Sequence, residues 1–127
     1  MPYEAEYKDD GALIRFSGHT TGREILKAKR ELFGHRFPKD ARWSLCDFTA
    51  IDKFDVLPTE VTAIIRQDIA SADTHPNLAE VVVAGNSYQY GLARMWEQQV
   101  DNVRLRTYVA RSREEAEEWL EQRGIRI

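Results

Sequence analysis

Val81-Val82-Val83-Ala84-Gly85-Asn86-Ser87 is the stretch from which the rest of the chain can be read. Four apolar residues in a row leave no wet face, the mark of a strand buried on both sides in a parallel sheet. Gly85 and Asn86 break the run, and the period then changes: Tyr88, Leu92, Met95, Trp96 and Val100 recur at helical spacing. A buried strand handing over to an amphipathic helix is one βα unit, and repeated units of this kind imply a sheet covered by helices.

Working outward, the same alternation repeats on both sides. Before the strand, roughly Pro58 to Asp73 reads as a helix with Val61, Ile64, Ile65, Ile69 and Ala72 on its inner face. Asp55 or Thr59 could cap it, and Pro58 suits its first turn. Arg42-Trp43-Ser44-Leu45-Cys46-Asp47-Phe48 reads as the preceding strand. Further back, Thr21-Gly22-Arg23-Glu24 has the form of a capping box, ahead of a stripe of Ile25, Leu26, Leu32 and Phe33 and a stop at Gly34. Tyr3, Ala5 and Tyr7 alternate with charged residues, and Asp10-Gly11 separates them from Ala12-Leu13-Ile14-Arg15-Phe16. That pair predicts a hairpin, through a turn that uses positive φ.

Beyond Val100, Val103, Leu105, Thr107 and Val109 alternate with Arg104, Arg106 and Tyr108, as in a half-exposed or edge strand. Ser112-Arg113-Glu114-Glu115 predicts a second capping box, with Ala116, Trp119 and Leu120 buried and Gly124 as the stop. The expected order is ββαβαβαβα: an α/β fold with a mainly parallel five-stranded sheet, an antiparallel first strand and four covering helices. No linker or repeat divides the chain, so residues 1–127 read as a single domain.

Composition narrows the classes of function. Eighteen basic against 21 acidic residues give a net charge of −3, with no basic run to attract nucleic acid. Cys46 is the single cysteine, so no internal disulfide can form. The start lacks the pattern of a signal peptide, and no apolar run approaches the ~20 residues that membrane insertion needs. A cytoplasmic address is expected.

Few residues suggest chemistry. His19, His35 and His75 fall in or beside turns without metal-ligand spacing and read as surface or capping residues. Cys46 and Asp47 adjoin on a strand and therefore point to opposite faces, so Asp47 could not orient a base for the thiol. Arg94, Arg104, Arg106, Arg111 and Arg113 face enough acids to read as a solvated surface. Neither a catalytic pair nor a metal cluster is expected, and no cofactor is implied. Two polar groupings remain. Gly85-Asn86-Ser87 lies at a strand-to-helix turn, where amides could meet an anion or do ordinary turn work. The segment from Asp47 to Thr59, read as a loop, gathers Asp47, Thr49, Asp52, Lys53 and Asp55 where a parallel strand ends, the usual ligand edge of open α/β sheets.

The element order and these residues together resemble the SpoIIAA-like superfamily, related to STAS domains, and in particular the bacterial single-domain proteins called STAS/SEC14 domain proteins. The match rests on Tyr7-Lys8-Asp9-Asp10-Gly11, Phe16-Ser17-Gly18, Thr21-Gly22-Arg23-Glu24-Ile25-Leu26 and Leu45-Cys46-Asp47-Phe48-Thr49. Tyr90-Gly91-Leu92-Ala93-Arg94-Met95-Trp96, Ser112-Arg113-Glu114-Glu115-Ala116 and Glu118-Trp119-Leu120 complete it. Some relatives are antagonists of anti-sigma factors, switched by a phosphoserine within a pattern like Asp-Leu-Ser-Gly-Val followed by Ile-Asp-Ser-Ser-Gly-Leu. Asp47-Phe48-Thr49-Ala50-Ile51 and Phe54-Asp55 resemble parts of it, but Val56, Leu57 and Pro58 replace Ser-Ser-Gly, so the resemblance implies the fold without the switch. SEC14-like relatives carry apolar ligands, which makes a carrier of a lipid or other apolar small molecule the alternative reading.

The expectation is a non-enzymatic binding or regulatory domain that recognises a protein partner or small apolar ligand at the carboxyl edge of its sheet. Asp47, Thr49, Asp55, Thr59, Asn86 and Ser87 are its expected contact residues. Phe54, Val56 and Leu57, taken as exposed, leave room for a symmetric homodimer.

Overall fold

The protein, seen in a computed structural model, is described over residues 3–34, 37–100 and 106–127. Nine elements follow one another: β1 (Tyr3–Tyr7), β2 (Gly11–Thr21), α1 (Gly22–Leu32), β3 (Trp43–Asp55), α2 (Pro58–Thr74), β4 (Ala79–Val83), α3 (Ser87–Val100), β5 (Arg106–Ala110) and α4 (Arg113–Glu121). The five strands lie in sequence order, β1 antiparallel to β2 and the others parallel, which is the expected α/β architecture. Val103, Arg104 and Leu105 of the expected last strand, and His35, lie outside the described residues.

Sequential parallel strands joined by right-handed crossovers put their helices on one face. The core divides accordingly. Ile14, Phe16, Cys46, Phe48, Val82 and Val109 point into a layer with α1, α2 and α3. Leu13, Trp43, Leu45, Val81, Val83 and Ala110 point the other way, onto α4 and Ile125. β4 is buried along its whole length, as its apolar run predicts, and β5 forms an edge.

Local signals hold to different degrees. At α1 the capping box is complete: Glu24 N donates to Thr21 Oγ1 at 3.2 Å, and Thr21 N donates to Glu24 Oε1 at 3.1 Å. At α4 only half of it forms. Glu115 N donates to Ser112 Oγ, but the Glu115 carboxylate turns back to Tyr108 Oη and Arg111 N. Neither Asp55 nor Thr59 caps α2. Its N-cap is Leu57, which offers no side-chain acceptor, while Leu57 N donates to Glu60 Oε1 at 2.8 Å.

The hairpin pairs Tyr7 with Ala12 as expected, yet Gly11 does not take positive φ. Gly11 answers to space instead: a Cβ there would lie 2.2 Å from the Trp43 indole, whose Nε1–H donates to Asp10 Oδ1 at 2.9 Å. The largest departure is β3. The segment after Phe48, read as a loop, continues as strand to Asp55, paired with Ser17–Thr21 of β2. Two register shifts interrupt that pairing, the second beside Gly18, whose φ of +66° suits glycine. β4 pairs with β3 only through Asp47, so beyond that point β3 runs on with β2 alone.

Candidate functional site

The six expected contact residues sit at the carboxyl edge, but they do not converge on one point. Asp47 Oδ1 accepts from Thr49 N at 2.9 Å and from Thr49 Oγ1 at 2.7 Å, which turns the chain at the first register shift. The 85–87 turn packs beside it, since a Cβ on Gly85 would lie 3.2 Å from Thr49 Cα. That turn closes on itself: Gln89 N donates to Asn86 Oδ1, and Gly85 N donates to Gln89 Oε1. Ser87 opens α3 and is exposed. Asp55 lies 3.2 Å from His19 Nε2 at the far end of β3, both side chains about half exposed. Thr59 is exposed in the first turn of α2.

An apolar cleft opens on the sheet face that carries α1, α2 and α3. Phe48 and Phe54 of β3, Val56, Val61 of α2, Leu92 and Ala93 of α3 line it, with Ile25, Ile64 and Val82 deeper in. Aromatic rings run from the core to its mouth: Phe16 on Phe48 at 5.4 Å, Phe48 on Phe54 at 5.5 Å and Phe54 on Tyr88 at 5.9 Å between centroids. Tyr88 Oη donates to Val56 O at 2.7 Å and ties α3 to the start of α2. Free space in the cleft is about 40 Å³. That corresponds to roughly three waters, or to the end of one aliphatic side chain. Leu57, at 58% exposure, and Tyr88, at 51%, are the exposed large apolar side chains of the described residues; Tyr88 packs on the cleft-lining Phe54, and Leu57 directly follows the cleft-lining Val56 in the chain. Val56, in contrast, is buried and Phe54 half-buried, so of the three residues expected to be exposed only Leu57 is.

Lys29, Cys46 and Trp96 also line the cleft. Behind them lies a buried charge cluster. The Lys29 ammonium of α1 is 2.6 Å from Asp68 Oδ2 of α2 and 3.5 Å from Glu80 Oε2 of β4, with all three side chains at most 4% exposed. Asp68 Oδ2 also accepts from Trp96 Nε1 at 2.6 Å, and the ammonium lies 4.9 Å from the Trp96 ring centroid. Burial alone would push the Lys29 pKa down; the Asp68 and Glu80 carboxylates overcome it, and the net shift is upward. Burial, with Asp68 adding to it, pushes the Glu80 carboxyl up to about 8 despite Lys29. Burial likewise pushes the Cys46 thiol up to about 12, the direction opposite to that of a reactive thiolate.

None of Lys29, Asp68 or Glu80 was singled out by pattern, although the signal was present. Lys29 falls four residues after Ile25 and three before Leu32, on the buried stripe of α1. Asp68 falls between Ile64 and Ala72 on that of α2, and Glu80 precedes the valines of β4. One positive and two negative residues in apolar phase, on three different elements, mark a buried cluster. His75 is the C-cap of α2 and is buried against Phe33 and Phe37 rather than lying at the surface.

No family model matches the chain, and no curated protein matches it. Among solved structures, it is similar to an uncharacterised DUF3478-family protein with a SpoIIAA-like fold from Shewanella loihica PV-4. The two share 10% sequence identity at a TM-score of 0.54, over 93% of this chain and 91% of that one. No helix among the described residues is long and apolar enough to cross a membrane. Identity this low speaks for architecture, and the chain has a SpoIIAA-like α/β fold.

Proposed function

We propose that this chain is a non-enzymatic binding domain, and that its partner is a protein that seats one apolar side chain in the cleft between β3, α2 and α3. The observation that carries this reading is an apolar cleft of about 40 Å³ whose lining residues Val56 and Phe54 adjoin the exposed Leu57 and Tyr88, one in sequence and one by ring contact. Exposed apolar groups beside a small preformed hollow are what an anchor residue needs. The same volume weighs against a lipid carrier, whose acyl chain would need several times more room. Asp55 and the 85–87 turn then supply polar contacts around the anchor.

Photo-crosslinking in the native host tests the reading, with benzoylphenylalanine at Leu57 and, as a control, at the exposed Glu118 of α4. A discrete protein adduct is expected at position 57 and none at 118. Ala93→Leu, which fills the cleft, should abolish that adduct while the circular dichroism spectrum stays unchanged. An adduct that survives the filled cleft would overturn the proposal. A lipid retained in native mass spectra would move the function to an apolar carrier.

A further inference from the structure

We propose that Lys29, Asp68 and Glu80 form a proton-held latch beneath the cleft: Glu80 keeps its proton at neutral pH, and its loss loosens the attachment of α1 and α2 to β4. Charge counting supports this. One ammonium faces two carboxyl groups, all three side chains at most 4% exposed, so the cluster is neutral only if one carboxyl is protonated. Hydrogen bonding supports it independently. Asp68 Oδ1 and Glu80 Oε1 are buried without a donor, and Glu80 Oε2 has only the ammonium at 3.5 Å, too long for a good hydrogen bond, whereas Asp68 Oδ2 already takes two. A single proton on Glu80, donated toward Asp68, satisfies one oxygen on each residue and leaves Lys29 free to serve both.

Every element around Glu80 fits the assignment. α1 presents Lys29, α2 presents Asp68, and β3 presents Cys46, whose thiol stays protonated. The register neighbours of Glu80 are Ser44 on β3 and Thr107 on β5, polar but without charge. Once Glu80 ionises, the cluster carries one unbalanced negative charge in the core. The connection to the cleft is direct, because Asp68 holds Lys29 and Trp96, and both line its floor.

Carbon-13 NMR of the side-chain carboxyls in the unmodified protein tests the latch without any partner, so its outcome is separate from that of the binding proposal. The Glu80 resonance should titrate near pH 8, and the Trp96 indole N–H should shift with the same midpoint. In Glu80→Gln the indole signal should stay constant from pH 6 to 9. Folding linkage gives a second readout. The folded protein holds a proton that the unfolded chain gives up above about pH 4.5, so the folding constant should fall as pH rises from 5 to 8. Relative to Glu80→Gln, the loss should approach tenfold per pH unit. A Glu80 midpoint below pH 6, or parallel pH profiles for the natural chain and the glutamine variant, would overturn the proposal.

Discussion

Lys29 Nζ lies 2.6 Å from Asp68 Oδ2, joining α1 to α2 through a contact closed to solvent. Asp68 Oδ2 accepts from both the ammonium and Trp96 Nε1, and losing such a buried hub typically costs about 3–5 kcal/mol even though Glu80, 3.5 Å from the ammonium, can ionise to balance it. Asp68→Ala also strips the Trp96 indole of its acceptor. This variant should lose about that much stability in urea unfolding. Lys29→Met combined with Asp68→Leu should recover most of it, because the apolar pair removes both charges. A double variant no more stable than Asp68→Ala would show that geometry, not charge balance, sets the cost.

Gly11 and Gly91 predict opposite effects for the same change. A methyl group at Gly11 would meet the Trp43 ring at 2.2–2.3 Å, and the indole is fully buried in the core cluster that includes α4. Gly11→Ala should therefore destabilise by about 1–3 kcal/mol, the usual cost of overpacking. At Gly91, inside α3, nothing lies within 4 Å of the added carbon. Gly91→Ala should gain about 0.5–1 kcal/mol from helix propensity. Thermal midpoints of the two variants are the check.

These two glycines also show what was legible in the sequence. Period changes and caps placed nearly every element, since a buried strand and an amphipathic helix each leave an unmistakable spacing. The second half of β3 was not legible. Thr49-Ala50-Ile51-Asp52-Lys53-Phe54 runs through two register shifts that destroy its alternation, so the segment reads as loop. The polar residues of the carboxyl edge stand out in the sequence because three aspartates fall between 47 and 55. The buried cluster was missed because Lys29, Asp68 and Glu80 are about 50 residues apart end to end and meet only through the crossovers that stack α1 and α2 on β4.

Cys46 should stay inert while the protein is folded. Its thiol is buried and shifted up to about 12, so the thiolate fraction at pH 7.5 is negligible. Iodoacetamide should leave the native mass unchanged and add one label in denaturant. The same shift has a stability consequence of definite sign. Folding favours the thiol over the thiolate, so this contribution is present below pH 9 and is lost between about 9 and 12. Rapid native labelling would reopen a nucleophilic role.

Asp55 separates binding from folding. Its contact with His19 is half exposed, and such pairs contribute little. Asp55→Ala should change stability by less than about 0.5 kcal/mol, as expected for a surface substitution. If the carboxyl edge meets a partner, the variant should weaken the crosslink formed from position 57. A loss of stability with an unchanged crosslink would confine Asp55 to a structural role.

Leu57 gives the sharpest separation, because folding and the proposed function ask for different residues there. It is the N-cap of α2, with φ −92° and ψ 151°, the extended geometry in which a cap side chain can accept from the helix. Leucine has no acceptor, and 58% of it faces solvent, so the position gives up both a capping bond and solubility. Leu57→Ser supplies an oxygen in reach of the first-turn amides and should raise stability by about 0.5–1 kcal/mol, read as a higher urea midpoint. The same change removes an apolar group next to the cleft-lining Val56 and should abolish partner capture by a crosslinker placed instead at the exposed Tyr88. Gain of stability with loss of capture is the signature of a residue kept for recognition. Gain of stability with capture intact would move the anchor site away from this cleft.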